Sequence, residues 1–255
     1  MKKKFLSIVI PCYNEKANLE RGVLGEVAEY FKNQKYTWEV IVSDDGSTDG
    51  SRELVKDFIK NRPNFVFLEN KHGGKAFALR SGIEKATGEI VLTTDMDQST
   101  PIKEIEKLLP WFEKNFEVVI GSRGLRRKGF PWYRQLFITP AFRILRGIFL
   151  LAEISDTQCG FKAYRPEAIK KIFSRLEVFG KAEKVKGWRV SAFDVEILFL
   201  AKKWGYKTKE VIVDWQDRDI STTKSKDFFD ESKNMAGEVW RVRLNDWQGK
   251  YDQKN

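Results

Sequence analysis

Short runs of apolar, β-branched residues alternate with stretches of helical periodicity through the first half of the chain, and the two periods leave few folds open. The predicted strands cover residues 6–11, 38–43, 65–68, 90–94 and 118–121, and the predicted helices cover residues 19–33, 51–61, 75–86 and 102–115. Strands that alternate with helices form a mostly parallel sheet with helices on its faces. The sequence therefore predicts an α/β fold in which ligands bind at the carboxyl ends of the strands.

The second half of the chain loses this alternation. Residues 122–150 contain no acidic residue, and their basic residues are interleaved with aromatic ones. Phe142, Leu145, Phe149 and Ala152 fall on one helical stripe, a pattern that fits a helix in a lipid interface or a helix packed against the core. Residues 228–247 form a further predicted amphipathic helix that carries Val239, Trp240, Leu244 and Trp247.

Charge and cysteine content narrow the partners and the compartment. Lys and Arg exceed Asp and Glu by 46 to 36, so the +10 chain favours polyanions, anionic lipid surfaces or phosphorylated substrates. No apolar run reaches the roughly 20 residues that span a bilayer, and the N-terminal run is too short for a signal peptide. Cys12, Cys159 and His72 lack the spacing of a zinc site. We expect two free thiols in a reducing, cytoplasmic compartment.

Acidic residues follow three of the predicted strands. The segment 11–15 follows the first strand, Asp44 and Asp45 follow the second, and Asp95 and Asp97 follow the fourth. Asp95 and Asp97 are two residues apart, so in extended backbone they project to one side and can share a hard divalent cation with phosphate oxygens. One such cluster alone is typical of loops and helix caps. Three clusters at one edge of the sheet predict a site for a metal and a diphosphate.

Other nucleotide-binding signatures are absent from the sequence. There is no GxGxxG after the first strand and no GxxxxGK[ST], so a dehydrogenase or a P-loop enzyme is disfavoured. Lys75 follows two glycines and begins a predicted helix at the same edge. It is interpreted either as a cation that meets a phosphate or as a solvated lysine.

Taken in order, these segments resemble a known family. Residues 8–15 (IVIPCYNE), 44–50 (DDGSTDG) and 95–97 (DMD) resemble the catalytic domain of glycosyltransferase family 2, which has the GT-A fold. Residues 121–123 (GSR), 156–162 (DTQCGFK) and 192–196 (AFDVE) are similar to its polyprenyl-phosphate branch, particularly the dolichyl-phosphate glucosyltransferases and more distantly the mannose synthases. The resemblance covers about residues 5–226.

The resemblance implies a role for individual residues. Pro11, Tyr13 and Glu15, with Asp44 or Asp45, would line the nucleoside pocket, and Asp95 and Met96 would lie beside the ribose and diphosphate. Asp97, with Asp95 as the neighbouring carboxylate, would hold Mg²⁺ or Mn²⁺. Related mannose synthases have a metal-binding glutamine two positions beyond the second aspartate, where this chain has Ser99 and a shifted Gln98. In related enzymes, cations at the positions of Arg134, Arg218 and Lys224 face phosphates, and the resemblance implies the same role for these three residues.

The resemblance also implies an activity. A hexose would be transferred with inversion from a nucleotide sugar, UDP-glucose first and GDP-mannose second, to a polyprenyl or dolichyl phosphate. Asp156 is the candidate base or a positioning residue, and Asp194 is a second catalytic candidate. Because a phosphate monoester is mostly dianionic at neutral pH, its oxygen is already a competent nucleophile. The enzyme would act in the cytoplasm, peripherally on the inner face of the membrane, attached through residues 129–152.

The implied domain order is a catalytic domain over residues 1–226 and an amphipathic helix with a polar tail over residues 227–255. Within the catalytic domain, residues 1–121 bind the nucleotide and residues 122–226 bind the acceptor, including the basic aromatic insertion 122–155. We expect Asp97→Ala to abolish transfer and leave the fold intact, because a carboxylate at the edge of the sheet is expected to be exposed.

Two alternatives remain from the sequence. One is a soluble family 2 glycosyltransferase acting on a saccharide or protein hydroxyl, which would need Asp156 or Asp194 as an essential base. The other is a nucleic-acid-binding protein, which the +10 charge permits. The predicted acidic edge disfavours it, since such an edge repels a phosphate backbone, and we expect no nucleic-acid partner.

Overall fold

The computed structural model describes residues 5–124, 151, 153–178, 193–221 and 228–253. A seven-stranded sheet has the order β3-β2-β1-β4-β6-β5-β7. Its strands are β1 (Leu6–Cys12), β2 (Trp38–Asp44), β3 (Phe65–Glu69), β4 (Ile90–Thr93), β5 (Val118–Ser122), β6 (Lys162–Tyr164) and β7 (Thr208–Ile212). Strand β6 is antiparallel to both neighbours, and the other pairings are parallel. The predicted mostly parallel α/β sheet is confirmed.

Helices cover both faces of this sheet. They are α1 (Lys16–Glu20), α2 (Val23–Lys32), α3 (Ser51–Ile59), α4 (Lys75–Lys85), α5 (Ile105–Glu113), α6 (Pro166–Ser174), α7 (Phe193–Lys203) and α8 (Phe228–Trp247). Among the described residues, no helix has the length and apolar character needed to cross a membrane.

Alternating side chains of the central strand show how the two faces are filled. Val9 belongs to the core beneath α4, α6, α7 and α8, whereas Ile8 and Ile10 belong to the core beneath α2, α3 and α5. Successive residues of a strand point to opposite faces, so a strand covered on both faces is apolar throughout. This is why β1, β2 and β4 carry apolar runs that are recognisable in the sequence, at residues 8–10, 40–42 and 90–92.

The predicted helix over residues 19–33 forms as two helices. The chain enters α1 earlier, at Lys16, and Gly22 then adopts a φ of 88°, which ends one helix and starts the next. Only glycine takes this left-handed conformation without steric cost, so Gly22 marks the break. The helix predicted over residues 102–115 begins as a 3₁₀ turn, Ile102–Glu104, before α5.

The C-terminal half contains elements that the sequence did not predict, namely β6, β7, α6 and α7. Helix α8 has the predicted bounds, with Val239 and Val242 buried and Trp240 and Trp247 exposed. Most of the basic aromatic insertion, including the stripe of Phe142, lies outside the described residues. Cys12 and Cys159 are free and buried.

Candidate active site

The loops that follow β1 and β2 are joined by hydrogen bonds at the carboxyl edge of the sheet. The Asn14 N–H donates to Ser47 Oγ at 3.0 Å, and the Thr48 N–H donates to Asn14 Oδ1 at 2.9 Å. The Glu15 N–H donates to Ser51 Oγ at 2.9 Å. Asn14 has a φ of 53°, a conformation that asparagine tolerates better than most residues. The first two acidic segments are therefore one connected surface.

Asp44 is fully buried at the end of β2 and shapes the loop that follows it. Its carboxylate accepts from the N–H groups of Gly46 and Ser47 and from Arg52 Nε, the last at 2.7 Å. Arg52 also donates to the carbonyl of Asn70, which begins the loop after β3. A buried carboxylate is stable only when its oxygens are paired in this way.

Asp45 organises the loop between β3 and α4. Its carboxylate accepts from the N–H groups of Gly73 and Gly74 at 2.8 and 2.9 Å and contacts His72 Nδ1 at 2.9 Å. Burial raises the pKa of Asp45, although these donors and the imidazole oppose the rise. Tyr13 stacks on the His72 ring with centroids 4.4 Å apart. The predicted nucleoside residues Tyr13 and Asp45 thus meet through His72.

Glu15 and Pro11, the other predicted nucleoside residues, lie on either side of this surface. Glu15 is buried and accepts from Asn18 Nδ2 at 2.6 Å, and Asn18 Nδ2 also lies 3.0 Å from Asp219 Oδ1. Pro11 lines a small cavity together with Lys75, Asp95 and Asp194. Met96 differs from them, because its side chain packs in the hydrophobic core.

Asp95 follows β4 and is held between a cation and a glycine. Its Oδ1 accepts from Lys75 Nζ at 2.5 Å. A Cβ added to Gly160 would lie 2.2 Å from the other oxygen, Oδ2. Only a glycine lets the chain before β6 approach this carboxylate so closely. Lys75, which the sequence left open as a solvated lysine, is thus an ion-pair partner within the site.

Asp97 is 8% exposed, so the expectation of an exposed carboxylate was wrong for this residue. Its Oδ1 accepts from the Ser99 N–H at 2.8 Å, and its carbonyl accepts from Arg21 Nη2 at 2.7 Å. Ser99 in turn connects this turn to the segment after β7, because its Oγ accepts from the Arg218 N–H at 3.1 Å. The turn closes over the carboxylate, which explains the burial.

The donor chemistry of this turn fits a hard divalent cation. Gln98 adopts a φ of 51°, and its buried Oε1 accepts no hydrogen bond from the described part of the chain. Its Nε2 donates to the Asp95 carbonyl at 2.9 Å, which places the amide beside the first aspartate. Oxygen ligands of this kind suit Mg²⁺ or Mn²⁺. Within the described ranges no three His, Cys, Asp or Glu side chains form a metal-binding group.

Arg123 lines an open cleft together with Asp95 and Asp97, and it is paired with the buried Asp156. Arg123 donates to Asp156 Oδ2 through Nε at 2.7 Å and to Oδ1 through Nη2 at 2.8 Å, and its own N–H donates to Oδ2. The Arg123 guanidinium lies 5.6 Å from the centre of the Trp215 ring. The cleft that Arg123 and Trp215 line also includes Asp217 and Asp219.

Asp194 begins α7 and pairs with a buried lysine. Lys162 Nζ lies 2.5 Å from Asp194 Oδ1, and the Lys162 side chain is 1% exposed. The same ammonium group donates to the Cys159 carbonyl. This contact connects the helix that carries Asp194 to the strand β6 that follows the Asp156 segment.

The predicted phosphate-binding cations have different outcomes. Arg218 forms a bidentate pair with Glu26, with Nη1···Oε2 at 3.0 Å and Nη2···Oε1 at 2.8 Å, so its guanidinium already has an acidic partner. Arg134 and Lys224 lie outside the described residues. Sequence reasoning missed His72, Lys162 and Gly160 as parts of the site. Gly160 and Lys162 lie within the recognised segment 156–162, whereas His72 lies in none of the recognised motifs.

Comparison with known proteins matches this architecture. Glucosyl-3-phosphoglycerate synthase of Mycobacterium tuberculosis, crystallised with Mn²⁺, UDP-glucose and phosphoglyceric acid, superposes with a TM-score of 0.64 at 18% identity, covering 99% of this chain and 81% of that one. The mannosyltransferase PcManGT of Pyrobaculum calidifontis, crystallised with GDP-Man and Mn²⁺, superposes with a TM-score of 0.56 at 19% identity, covering 98% and 64%. The fold is that of a GT-A glycosyltransferase.

Sequence comparison gives the family. The family model described as glycosyl transferase family 2 matches residues 7–173, so the chain belongs to this family. Dolichyl-phosphate beta-glucosyltransferase of Dictyostelium discoideum is 32% identical over 259 residues, covering 94% of this chain and 74% of that protein. The human protein of the same name is 33% identical over 232 residues, covering 84% and 68%. The predicted family and its glycosyltransferase activity are confirmed.

Proposed function

We propose that this glycosyltransferase moves glucose from UDP-glucose to a dolichyl or polyprenyl phosphate, forming a β-linked lipid-phosphate sugar. The observation that carries the proposal is the single cleft that Asp95, Asp97 and Arg123 line together. Carboxylates with a cation suit a diphosphate leaving group, and a guanidinium suits a phosphate acceptor. The names of the relatives support the choice of glucose and dolichyl phosphate over GDP-mannose.

The nucleotide half of the site binds and orients the donor. Tyr13 and Glu15, with the loops that Asp44 and Asp45 hold, would form the nucleoside pocket. The oxygens of Asp97, Asp95 and Gln98 would hold Mg²⁺ or Mn²⁺ against the diphosphate. A divalent ion so placed supplies Lewis-acid stabilisation of the charge on the departing nucleoside diphosphate.

The reaction needs no strong base from the protein. An oxygen of the acceptor phosphate forms a bond to the anomeric carbon, and the bond from that carbon to the UDP oxygen breaks with its electron pair. A phosphate with a second pKa of about 6 is mostly dianionic at neutral pH, so no proton has to be removed from it. Attack opposite the leaving group inverts the α-linked sugar to a β product.

In this scheme Asp156 positions Arg123 and does not remove a proton. Both of its oxygens accept from the Arg123 guanidinium, and the Gln158 N–H donates to Oδ1 at 3.2 Å. Asp194 lies in the first turn of α7, is paired with Lys162 and would have a supporting role in the site. Arg134, Arg218 and Lys224 remain proposed contacts of phosphate groups.

Delivery of a lipid acceptor implies contact with a membrane. We assign this contact to the basic aromatic residues 129–152 and place the enzyme peripherally on the cytoplasmic face. The absence of acidic residues from 122–150 supports attraction to anionic headgroups. The domain order proposed from the sequence, 1–226 and 227–255, is retained with this assignment.

A panel of radiolabelled donors tests the function. UDP-glucose and GDP-mannose are each incubated with the enzyme, with or without polyprenyl phosphate and with Mn²⁺, Mg²⁺ or EDTA. We expect label in the organic phase only with UDP-glucose, lipid phosphate and a divalent cation. Asp97→Asn is the matched inactive control. Transfer to a water-soluble saccharide without lipid phosphate would overturn the proposal in favour of a soluble family 2 enzyme.

Membrane contact needs a separate measurement. Co-sedimentation with liposomes that contain anionic lipid should retain the protein at low salt and release it as salt screens the charges. If the enzyme transfers glucose to a short, water-soluble polyprenyl phosphate but does not co-sediment with liposomes, the proposed reaction stands and the proposed membrane contact is wrong.

A further inference from the structure

Asp95 lies between two cavities of the described structure. One is a small cavity lined by Lys75, Asp194 and Pro11, and the other is the open cleft lined by Asp97 and Arg123. Asp95 lines both of them, and 39% of its side chain is exposed. Its carboxylate is therefore in a position to face either space.

In the present arrangement the Asp95 carboxylate is paired with Lys75, which lines the small cavity. Lys75 Nζ lies 2.5 Å from Oδ1, and the backbone at Gly160 approaches Oδ2. Burial lowers the pKa of Lys75, but the charges of Asp95 and Asp194 outweigh burial and raise it overall. The ammonium group is thus a resident positive charge at the carboxylate that would otherwise help to hold a divalent cation.

A second anion, Asp194, lies near enough to Lys75 for its charge to act on the ammonium group. Asp194 lines the same small cavity as Lys75, and its charge acts on the lysine next after that of Asp95. Asp194 is itself bound by Lys162 at 2.5 Å, so its position is fixed whether or not Lys75 approaches. The four groups form an alternating series of charges, Asp95, Lys75, Asp194 and Lys162.

We propose that Lys75 is the counter-ion of Asp95 when no divalent cation is bound, and that a cation binding at Asp95 and Asp97 displaces the Lys75 ammonium group toward Asp194. Two cations cannot share one carboxylate oxygen without strong repulsion. The exchange keeps both carboxylates paired in either state, which avoids leaving a charge unpaired in a partly buried site. Because Asp194 lies in the first turn of α7, metal binding would also change the contacts of that turn.

This inference rests on the metal site of the proposed function, but its test needs neither donor sugar nor lipid. Binding of Mn²⁺ to the whole chain is followed by electron paramagnetic resonance of the free ion, with and without UDP. We expect Lys75→Met to raise the Mn²⁺ affinity without nucleotide by about tenfold, the size of effect that one nearby charge has on a carboxylate equilibrium. Lys75→Arg keeps the charge and should retain the wild-type affinity. Lys71→Met, which removes an exposed lysine from the same loop, is the matched control and should change nothing.

Asp194→Asn tests the second half of the exchange. If Lys75 moves to Asp194, this variant should weaken Mn²⁺ binding in the wild-type background and have no effect in the Lys75→Met background. Asp194→Asn leaves the buried Lys162 without its anion, so thermal unfolding checks that each variant is folded. If Asp194→Asn is unfolded, Lys75→Met and Lys75→Arg decide whether the exchange occurs.

The outcomes separate the two proposals. No Mn²⁺ binding by the wild type with UDP would overturn both the metal site and the exchange. Normal Mn²⁺ binding that Lys75→Met leaves unchanged or weakens would overturn the exchange alone. An Asp194→Asn effect of equal size in both backgrounds would overturn the movement toward Asp194.

Discussion

The Arg123 guanidinium binds both oxygens of the Asp156 carboxylate, with Nε···Oδ2 at 2.7 Å and Nη2···Oδ1 at 2.8 Å. Burial opposes the charge on Arg123, but the hydrogen bonds and charge of Asp156 outweigh burial and raise its pKa. Glu210 supports the pair from below by accepting from the Ser155 and Asp156 N–H groups at 2.9 and 2.8 Å. The aspartate that the sequence offered as a base is therefore the support of a cation that faces the cleft.

The first prediction concerns Asp156→Asn. An amide cannot bind a guanidinium through two acceptor oxygens, so we expect kcat/KM to fall about 100-fold as Arg123 loses its position. Stability should fall by about 3 kcal/mol, because Arg123 is left in a mostly buried site without its anion. If kcat/KM of the wild type falls at acid pH, the same fall should be seen in Asp156→Asn, because Asp156 does not act as a base.

Loss of that fall at acid pH in the variant would show that Asp156 acts as a base. Asp246→Asn is the matched control, since it breaks the pair of Asp246 with Lys203, 2.7 Å apart, on α8. It should cost stability without lowering kcat/KM after correction for the folded fraction.

The second prediction concerns Asp97. Because Asp97 is buried and accepts from the Ser99 N–H, alanine would remove a structural acceptor as well as a charge. Asparagine keeps the acceptor oxygen and removes only the charge, so it is the sharper variant. We expect Asp97→Asn to lower transfer at least 100-fold with a melting temperature close to that of the wild type. Transfer within a few-fold of wild type would remove Asp97 from the metal site.

The third prediction concerns Gly160→Ala. The new methyl group would overlap the Asp95 carboxylate, which is the end of a flexible side chain and can rotate away. We expect kcat/KM to fall at least roughly tenfold, as misplacement of a binding group does, and stability to change by no more than about 1 kcal/mol. Gly25→Ala, where a Cβ meets nothing within 4 Å, is the control and should keep full activity. Wild-type kcat/KM in Gly160→Ala would show that the position of Asp95 is not critical.

The fourth prediction is a pH dependence at the Arg218–Glu26 pair. The hydrogen bond from Arg218 lowers the pKa of Glu26, so the pair stabilises the fold above the unfolded pKa of about 4.3 and ceases to do so as pH falls through the folded value. Both side chains are partly exposed, which limits the gain to under about 1 kcal/mol. Denaturant unfolding should show Arg218→Ala less stable than wild type at pH 7 and equal to it near pH 3.

The same two residues test the proposed phosphate contact. Arg218→Ala should raise KM for the nucleotide sugar several-fold if the guanidinium also meets a phosphate, whereas Glu26→Gln keeps the guanidinium and should not. Equal KM values in both variants would restrict Arg218 to its structural pair.

Much of the fold could be predicted because the central strands are covered on both faces. Residues such as Ile8, Val9 and Ile10 are all fully buried, and their apolar run is visible without any structure. By contrast, β6 has only the residues Lys162–Tyr164, and the lysine is buried because Asp194 pairs with it. A lysine buried by an ion pair cannot be distinguished from a solvated lysine in the sequence, so this strand could not be predicted.

The site divides in the same way. The carboxylates after β1, β2 and β4 could be placed at one edge because parallel strands bring their ends together. Their partners could not, since Lys75 meets Asp95 and Arg123 meets Asp156 only through contacts between distant segments. The turn that contains Asp97 is likewise held by contacts from distant segments, since Arg21 donates to the Asp97 carbonyl and the Arg218 N–H donates to Ser99 Oγ.

The reversed direction of β6 has a consequence for how such an enzyme diversifies. Because β6 runs against β4 and β5, the residues that precede it reach the same end of the sheet as those that follow its neighbours. The residues directly after β5 and directly before β6 therefore supply Arg123 and Gly160 to the cleft. Replacement of the segment between β5 and β6 would therefore change both of these cleft residues together and leave the loops after β1, β2 and β4 as they are.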